Sequence, residues 1–310
     1  MKKILPSFGL VMLVAACGGG GGETAAPPPP APAPPPPAAS TITGLSVAML
    51  ADANAPLRYR GTALVTVTGT GLSGASLSFG GNACTLASAP AGFIDSDTTR
   101  YRQCTLVRTG AQQLTVALAG GAVAQAVDLT VPLPQVTMSV TSSGSALGSF
   151  VLTLDPARAP ITVDNFLAYV NAGFYDGTVI HRHSPNFVLQ GGGYAAPVSA
   201  AGLPAEKPTN PPIPLEDNTG LSNLRYSVAM ARTALPDTAT SQFFINLADN
   251  TFLDGTTTTR GYAVFGSVTD GTALIEAMRA APCTAVPWYG PGGDCLPVPN
   301  LVIASAAQTR

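Results

Sequence analysis

The residues best suited to chemistry sit in one short stretch, Ile180-His181-Arg182-His183-Ser184-Pro185-Asn186-Phe187-Val188-Leu189-Gln190-Gly191-Gly192-Gly193-Tyr194. His181 and His183 are the chain's two histidines. Alternate residues share a face on a strand, so the pair has the geometry of two metal ligands, but no Asp, Glu or Cys stands within the stretch to complete a set. We therefore expect no metal and no cofactor here, and a structural hydrogen bond for His181. Arg182 is different in kind. A guanidinium stays charged at physiological pH and offers several directed donors, which a lysine does not match. A lone arginine in a strand is ordinarily a surface ion-pair residue, so its neighbours decide how it is read.

Those neighbours form two blocks. The first holds His181-Arg182, Phe187 five residues after the arginine, and Gln190-Gly191-Gly192; the second, downstream, is Ser241-Gln242-Phe243-Phe244-Ile245. Together they resemble the active-site signature of the cyclophilins, which are prolyl peptide bond isomerases. The resemblance implies rotation about an X-Pro bond, which breaks no bond and so requires no nucleophile, metal or acid-base pair. It also implies roles. Arg182 would donate to the amide nitrogen as its lone pair localises, and Gln190 would orient Arg182 and the bound backbone. Phe187, Val188, Phe244 and Leu253 would hold the proline ring, Ala231, Arg232 and Gln242 would line an adjoining groove, and Phe252 and Tyr262 would complete the rim. For each aromatic alone, core packing is the commoner role.

Departures from the signature are informative. Val188 stands where methionine is common, Phe252 where many members carry tryptophan, Tyr262 where they carry histidine, and Arg232 where they carry asparagine. The aromatic and Arg232 changes resemble the bacterial periplasmic branch of the family, as do Ala229-Met230-Ala231-Arg232-Thr233 and Gly261-Tyr262-Ala263-Val264-Phe265-Gly266. Weak or no cyclosporin binding is implied, because that ligand uses the missing tryptophan. His183, Ser184 and Asn186 stand in a segment that is normally more apolar, and the sequence offers no reason for them.

The 310 residues are long enough for two domains. Charged residues make up only 10%, which suits β-rich secreted proteins. A net charge of −2, with 15 scattered Lys and Arg, argues against nucleic acid as a partner. Five cysteines fall into three settings: Cys17 alone, Cys84 with Cys104, and Cys283 with Cys295. That arithmetic suggests one modified cysteine and two local disulfides, the alternatives being free thiols or a metal site. Lys2 and Lys3 precede an apolar run, Ile4 to Ala16, too short to span a bilayer, which reads as a signal peptide over residues 1–16. Val14-Ala15-Ala16-Cys17 resembles a bacterial lipoprotein processing site, which implies an acylated Cys17 in a lipid bilayer. Gly18 after it, in place of aspartate, favours the outer membrane, facing the periplasm. Residues 17–39, rich in Gly and then Pro, read as a tether.

From residue 40 to 134, short runs of period two, such as Leu45/Val47/Met49 and Val127/Leu129/Val131, alternate with Gly-rich turns. An Ig-like β-sandwich is expected, serving as a spacer, a partner-binding module or a recognition element. Residues 135–310 read differently. A hairpin is expected at Val136 to Val140 and Gly148 to Leu154, then a helix capped by Thr162, with Asp164 at its positive end and Val163, Phe166, Leu167 and Val170 inward. A second helix is expected from about Gly271 to Ala281, capped by Asp270, with Leu274, Ala277 and Met278 inward. This is the outline the resemblance implies: an eight-stranded antiparallel barrel capped by two helices. Cys283 to Cys295, with Trp288 between, reads as an insertion before the last strand. The leading expectation is an isomerase acting on proline-containing polypeptide clients during folding of exported proteins; the alternatives are a non-catalytic chaperone or peptide-binding module and a structural envelope lipoprotein.

Overall fold

The computed structural model describes residues 39–289 and 293–310. The expected signal peptide, the acylated Cys17 and nearly all of the tether lie outside the described residues. Residues 39–310 form one compact unit. No described helix is long and apolar enough to cross a membrane.

The chain opens with seven strands: β1 (Thr41–Met49), β2 (Thr62–Thr70), β3 (Leu77–Gly80), β4 (Cys84–Ala87), β5 (Thr99–Leu106), β6 (Gly110–Leu118) and β7 (Gln125–Val131). They make two sheets, ordered β1-β2-β5-β4 and β3-β6-β7. Ala63, Val65, Val67 and Leu106 of the first join Leu114, Val116, Leu129 and Val131 of the second in one core, as a β-sandwich requires. Strand β5 escapes the period-two reading because Arg100, Tyr101, Arg102 and Gln103 fill its middle and are only partly buried. It pairs with β4, and Cys84 and Cys104 are bonded across that pair with Cα atoms 5.4 Å apart.

The second part holds β8 (Gln135–Ser142), β9 (Ser145–Leu154), α1 (Pro160–Asn171), β10 (Thr178–Ser184), β11 (Val188–Ala195), β12 (Ser227–Met230), β13 (Phe243–Asn246), β14 (Val264–Asp270), α2 (Thr272–Arg279), β15 (Cys283–Ala285), β16 (Cys295–Pro297) and β17 (Leu301–Gln308). Eight strands follow one another as β11-β13-β12-β14-β9-β8-β17-β10, and a β10–β11 pairing closes the ring. Every pairing is antiparallel. Closure removes the exposed edges that an open sheet would leave. Strands β16 and β15 hang from β10 as an appended hairpin, bonded through Cys283 and Cys295.

Alternation along the barrel strands separates two apolar sets. Ile180, Leu189, Val228, Met230, Phe243 and Ile245 belong to the interior core, where α1 contributes Phe166. Its ring meets Phe243 edge-on at 5.6 Å and Tyr175 at 5.2 Å. Val188, Ala229, Phe244 and Val264 form a separate cluster on the outer wall.

Both helices differ from the sequence expectation at their ends. α1 begins at Pro160, whose fixed φ and missing N–H suit a first turn, so Thr162 lies inside the helix and does not cap it. The orphan N–H groups of Ile161 and Thr162 are instead taken by Glu216, at 3.2 and 2.7 Å. Asp164 is past the first turn and accepts from Tyr59 Oη at 2.9 Å and Arg60 Nε at 2.7 Å, joining the N-terminal sheets to the barrel. α2 starts at Thr272 after a left-handed Gly271, which Asp270 Oδ1 engages through its own N–H. Ile275, not Ala277, joins Leu274 and Met278 inside, and Ala277 is exposed.

Candidate active site

Barrel register sets a row of residues side by side. Arg182 on β10 faces Gln190 on β11, Gln190 faces Phe244 on β13, and Phe244 faces Ala229 on β12. Directly opposed residues on adjacent strands share a face, so the row points outward while Phe243 and Ile245 point in. Above it lies a cavity of about 260 Å³ lined by Arg182, Phe187, Val188, Gln190, Ala231, Arg232, Phe244, Leu253 and Tyr262.

The apolar wall is built edge to face. Tyr262 meets Phe244 at 5.5 Å and 80°. Arg232 fixes Tyr262 from behind, with its Cζ 4.6 Å from the ring centroid, Nε donating to the Gly261 carbonyl and Nη2 to the Arg260 carbonyl, both at 2.9 Å. Phe252 does not line the cavity. It is 74% exposed and stacks on Phe187 at 5.8 Å, lying outside it as a rim residue.

The polar wall is a directed chain. Arg182 Nη1 donates to Gln190 Oε1 at 3.0 Å, Gln190 Nε2 to Gln242 Oε1 at 2.9 Å, and Gln242 Nε2 to Glu206 Oε1 at 2.6 Å. Tyr194 also donates to Glu206 Oε1, at 3.0 Å. Gln242 thus sits beside the main cavity, in an adjoining one shared by Gln190, Glu206, Ala231, Arg232 and three threonines. The glycines make this layout possible: a Cβ on Gly193 would fall 2.7 Å from Gln242 Nε2, and Gly192 has φ +87° with Tyr175 2.9 Å from where its Cβ would lie. At the other end of the chain, Arg182 Nε donates to Asp294 Oδ2 at 2.7 Å.

Asp294 and Glu206 were not legible as site residues, since each stands far from the signature in sequence and carries no local pattern. Of the unexplained polar residues of the signature, Asn186 acquires a reason. It has φ +59°, a conformation asparagine tolerates, and its Oδ1 accepts from Arg279 of α2. The Ser184 carbonyl accepts Phe187 N at 3.0 Å in the same turn, a backbone bond that does not explain the serine side chain. His183 is buried against the β15–β16 hairpin. One of its ring nitrogens and the sulfurs of Cys283 and Cys295 lie within 4.8 Å of one another, but sulfurs bonded to each other carry no thiolate for a cation. His181 is buried edge-on to Tyr194 at 4.7 Å, and burial lowers its pKa to about 4, so the ring is neutral at pH 7. Trp288 packs with Val179, Val198, Val286 and Leu296.

Fold and site together define an antiparallel-barrel protein with an external apolar cavity edged by a held cation. The family described as "Cyclophilin type peptidyl-prolyl cis-trans isomerase/CLD" matches residues 136–306. Peptidyl-prolyl cis-trans isomerase A of Dickeya dadantii is 44% identical over 162 residues, covering 52% of this chain and 80% of that relative. Peptidyl-prolyl cis-trans isomerase cyp18 of Streptomyces antibioticus is 44% identical over 172 residues, 54% of this chain and 98% of that one. A solved cyclophilin-type isomerase of Cryptosporidium parvum aligns at TM-score 0.44 and 21% identity over 57% of this chain and 98% of its own. The chain belongs to the cyclophilin-type peptidyl-prolyl cis-trans isomerase family.

Proposed function

We propose that the chain accelerates X-Pro rotation in exported polypeptides by Arg-assisted twisting of the amide in the outer-wall cavity. The observation that carries this reading is the oriented Arg182 beside an apolar cavity. Amide resonance sets a barrier of roughly 18–20 kcal/mol. At the twisted geometry the nitrogen lone pair is localised and accepts a hydrogen bond that the planar amide does not. A charge-assisted bond from Arg182 then stabilises the transition state by about 1.5–3 kcal/mol, roughly ten- to a hundredfold in rate. Phe187, Val188, Phe244 and Leu253 hold the proline ring, and Gln190 keeps the guanidinium in plane. Ala231, Arg232 and Gln242 line the adjoining groove, with Phe252 and Tyr262 at the rim. The absence of a tryptophan at Phe252 fits weak or no cyclosporin binding.

Location completes the proposal. Val14-Ala15-Ala16-Cys17 and the Gly- and Pro-rich tether support an acylated chain at the outer membrane, facing the periplasm. Residues 40–134 are an added β domain and residues 135–310 the isomerase domain. The test is refolding of an exported protein whose slow phase is proline-limited, together with fractionation of cells. The full chain is expected to speed that phase, Phe244→Ala to abolish the effect, and Cys17→Ser to move the protein from the membrane to the soluble fraction. A chain that binds the client without speeding it is a holding module, and a Cys17→Ser variant still in the membrane overturns the anchor.

A further inference from the structure

We propose that Asp294 is a positioning residue for Arg182, delivered to the site by the β15–β16 hairpin. The inference rests on Arg182 as the acting cation. Strand β16 pairs with β10 through His183 and Cys295. Continuing that antiparallel register sets Ser184 opposite Asp294 and Arg182 opposite Leu296. Asp294 and Arg182 are therefore diagonal neighbours on one face, within reach of long side chains. The reach is realised, with Nε 2.7 Å from Oδ2 and the two side chains only 28% and 12% exposed. Water screens such a pair less than one at the open surface.

Geometry says what the carboxylate does. Nε is held by Asp294 and Nη1 by Gln190, so two separate acceptors fix the guanidinium plane. Nη2 has no bond to a described residue, and the guanidinium borders the cavity. With Asp294 removed, one hydrogen bond to Gln190 and the Phe187 ring, 5.8 Å from Cζ, remain to hold a side chain that has four rotatable bonds, and the donor is less well preorganised. The carboxylate also weakens the positive field at the cavity, which by itself would slow the reaction. Orientation wins because the donor must meet a lone pair that is present only at the twisted geometry, and misplacement is costly there. The Cys283–Cys295 bond holds Asp294, the residue before Cys295, against the barrel wall.

The test measures kcat and KM of the full chain on a short Xaa-Pro peptide, with thermal unfolding in parallel. Asp294→Ala is expected to lower kcat about tenfold with KM within about twofold, and Asp294→Glu to restore most of the loss. On an Arg182→Ala background, Asp294→Ala is expected to cost nothing more. Asp294→Asn keeps an acceptor and the fold, and is expected to fall between parent and alanine, so the test stands if the alanine variant is unstable. An unchanged or raised kcat, a rise confined to KM, or an equal loss without Arg182 overturns the positioning role. An inactive parent overturns the isomerase reading beneath it; an active parent impaired by Arg182→Ala but not by Asp294→Ala overturns this inference alone.

Discussion

Arg182 takes its meaning from the residues that hold it, and these differ in how far the sequence reveals them. Gln190 is eight residues away on the next strand, so a local motif contains both. Asp294 is 112 residues away and Glu206 lies on a loop, so nothing in a linear pattern ties either to the arginine. The polar departure Asn186 was opaque for a similar reason: its side chain meets a helix residue 93 positions on. His181 supports a prediction at this scale. Its pKa falls from 6.5 to about 4 on folding, mainly through burial. Between those values the unfolded chain binds the extra proton, so stability rises with pH, is complete above about 6.5 and is lost as pH falls through about 4. The full contribution is about 3 kcal/mol. Denaturant unfolding from pH 7 down to 4.5 is expected to show a drop that shrinks in His181→Gln; an identical drop in the variant contradicts it.

Element ends were harder to read than element faces. Val163, Phe166, Leu167 and Val170 did turn inward, because an apolar stripe of period 3.6 has one way to be buried. The start of α1 did not follow from Thr162, because a proline two residues earlier begins the helix and a carboxylate from residue 216 caps it through space. The β15–β16 hairpin shows the same division. Its closure was legible from two cysteines, whereas its docking on β10 depends on register that only the folded sheet supplies. Replacing Cys283 and Cys295 together with serine opens a loop with a sequence separation of 12. This is expected to cost about 3 kcal/mol of stability and to lower kcat in the direction of Asp294→Ala. A variant with an unchanged unfolding midpoint contradicts the stapling role.

At the scale of the molecule, two β architectures share one compact unit, joined where Tyr59 and Arg60 meet Asp164 on α1. That junction lies on a helix that packs into the interior core, while the cavity occupies the outer wall, so the added sheets leave the site's row of residues intact. The barrel was legible as a whole because two signature blocks carried it; the sandwich was legible only as alternation, since its polar central strand hides in the sequence. The central claim is that a held guanidinium next to an apolar cavity does the catalysis. It is tested most directly by kcat/KM of the full chain on an Xaa-Pro peptide, compared with Arg182→Ala and Arg182→Lys. The account predicts a loss of at least about tenfold in the alanine variant and little recovery with lysine, whose point charge cannot be held in a plane by Gln190 and Asp294. Full activity in either variant would contradict it.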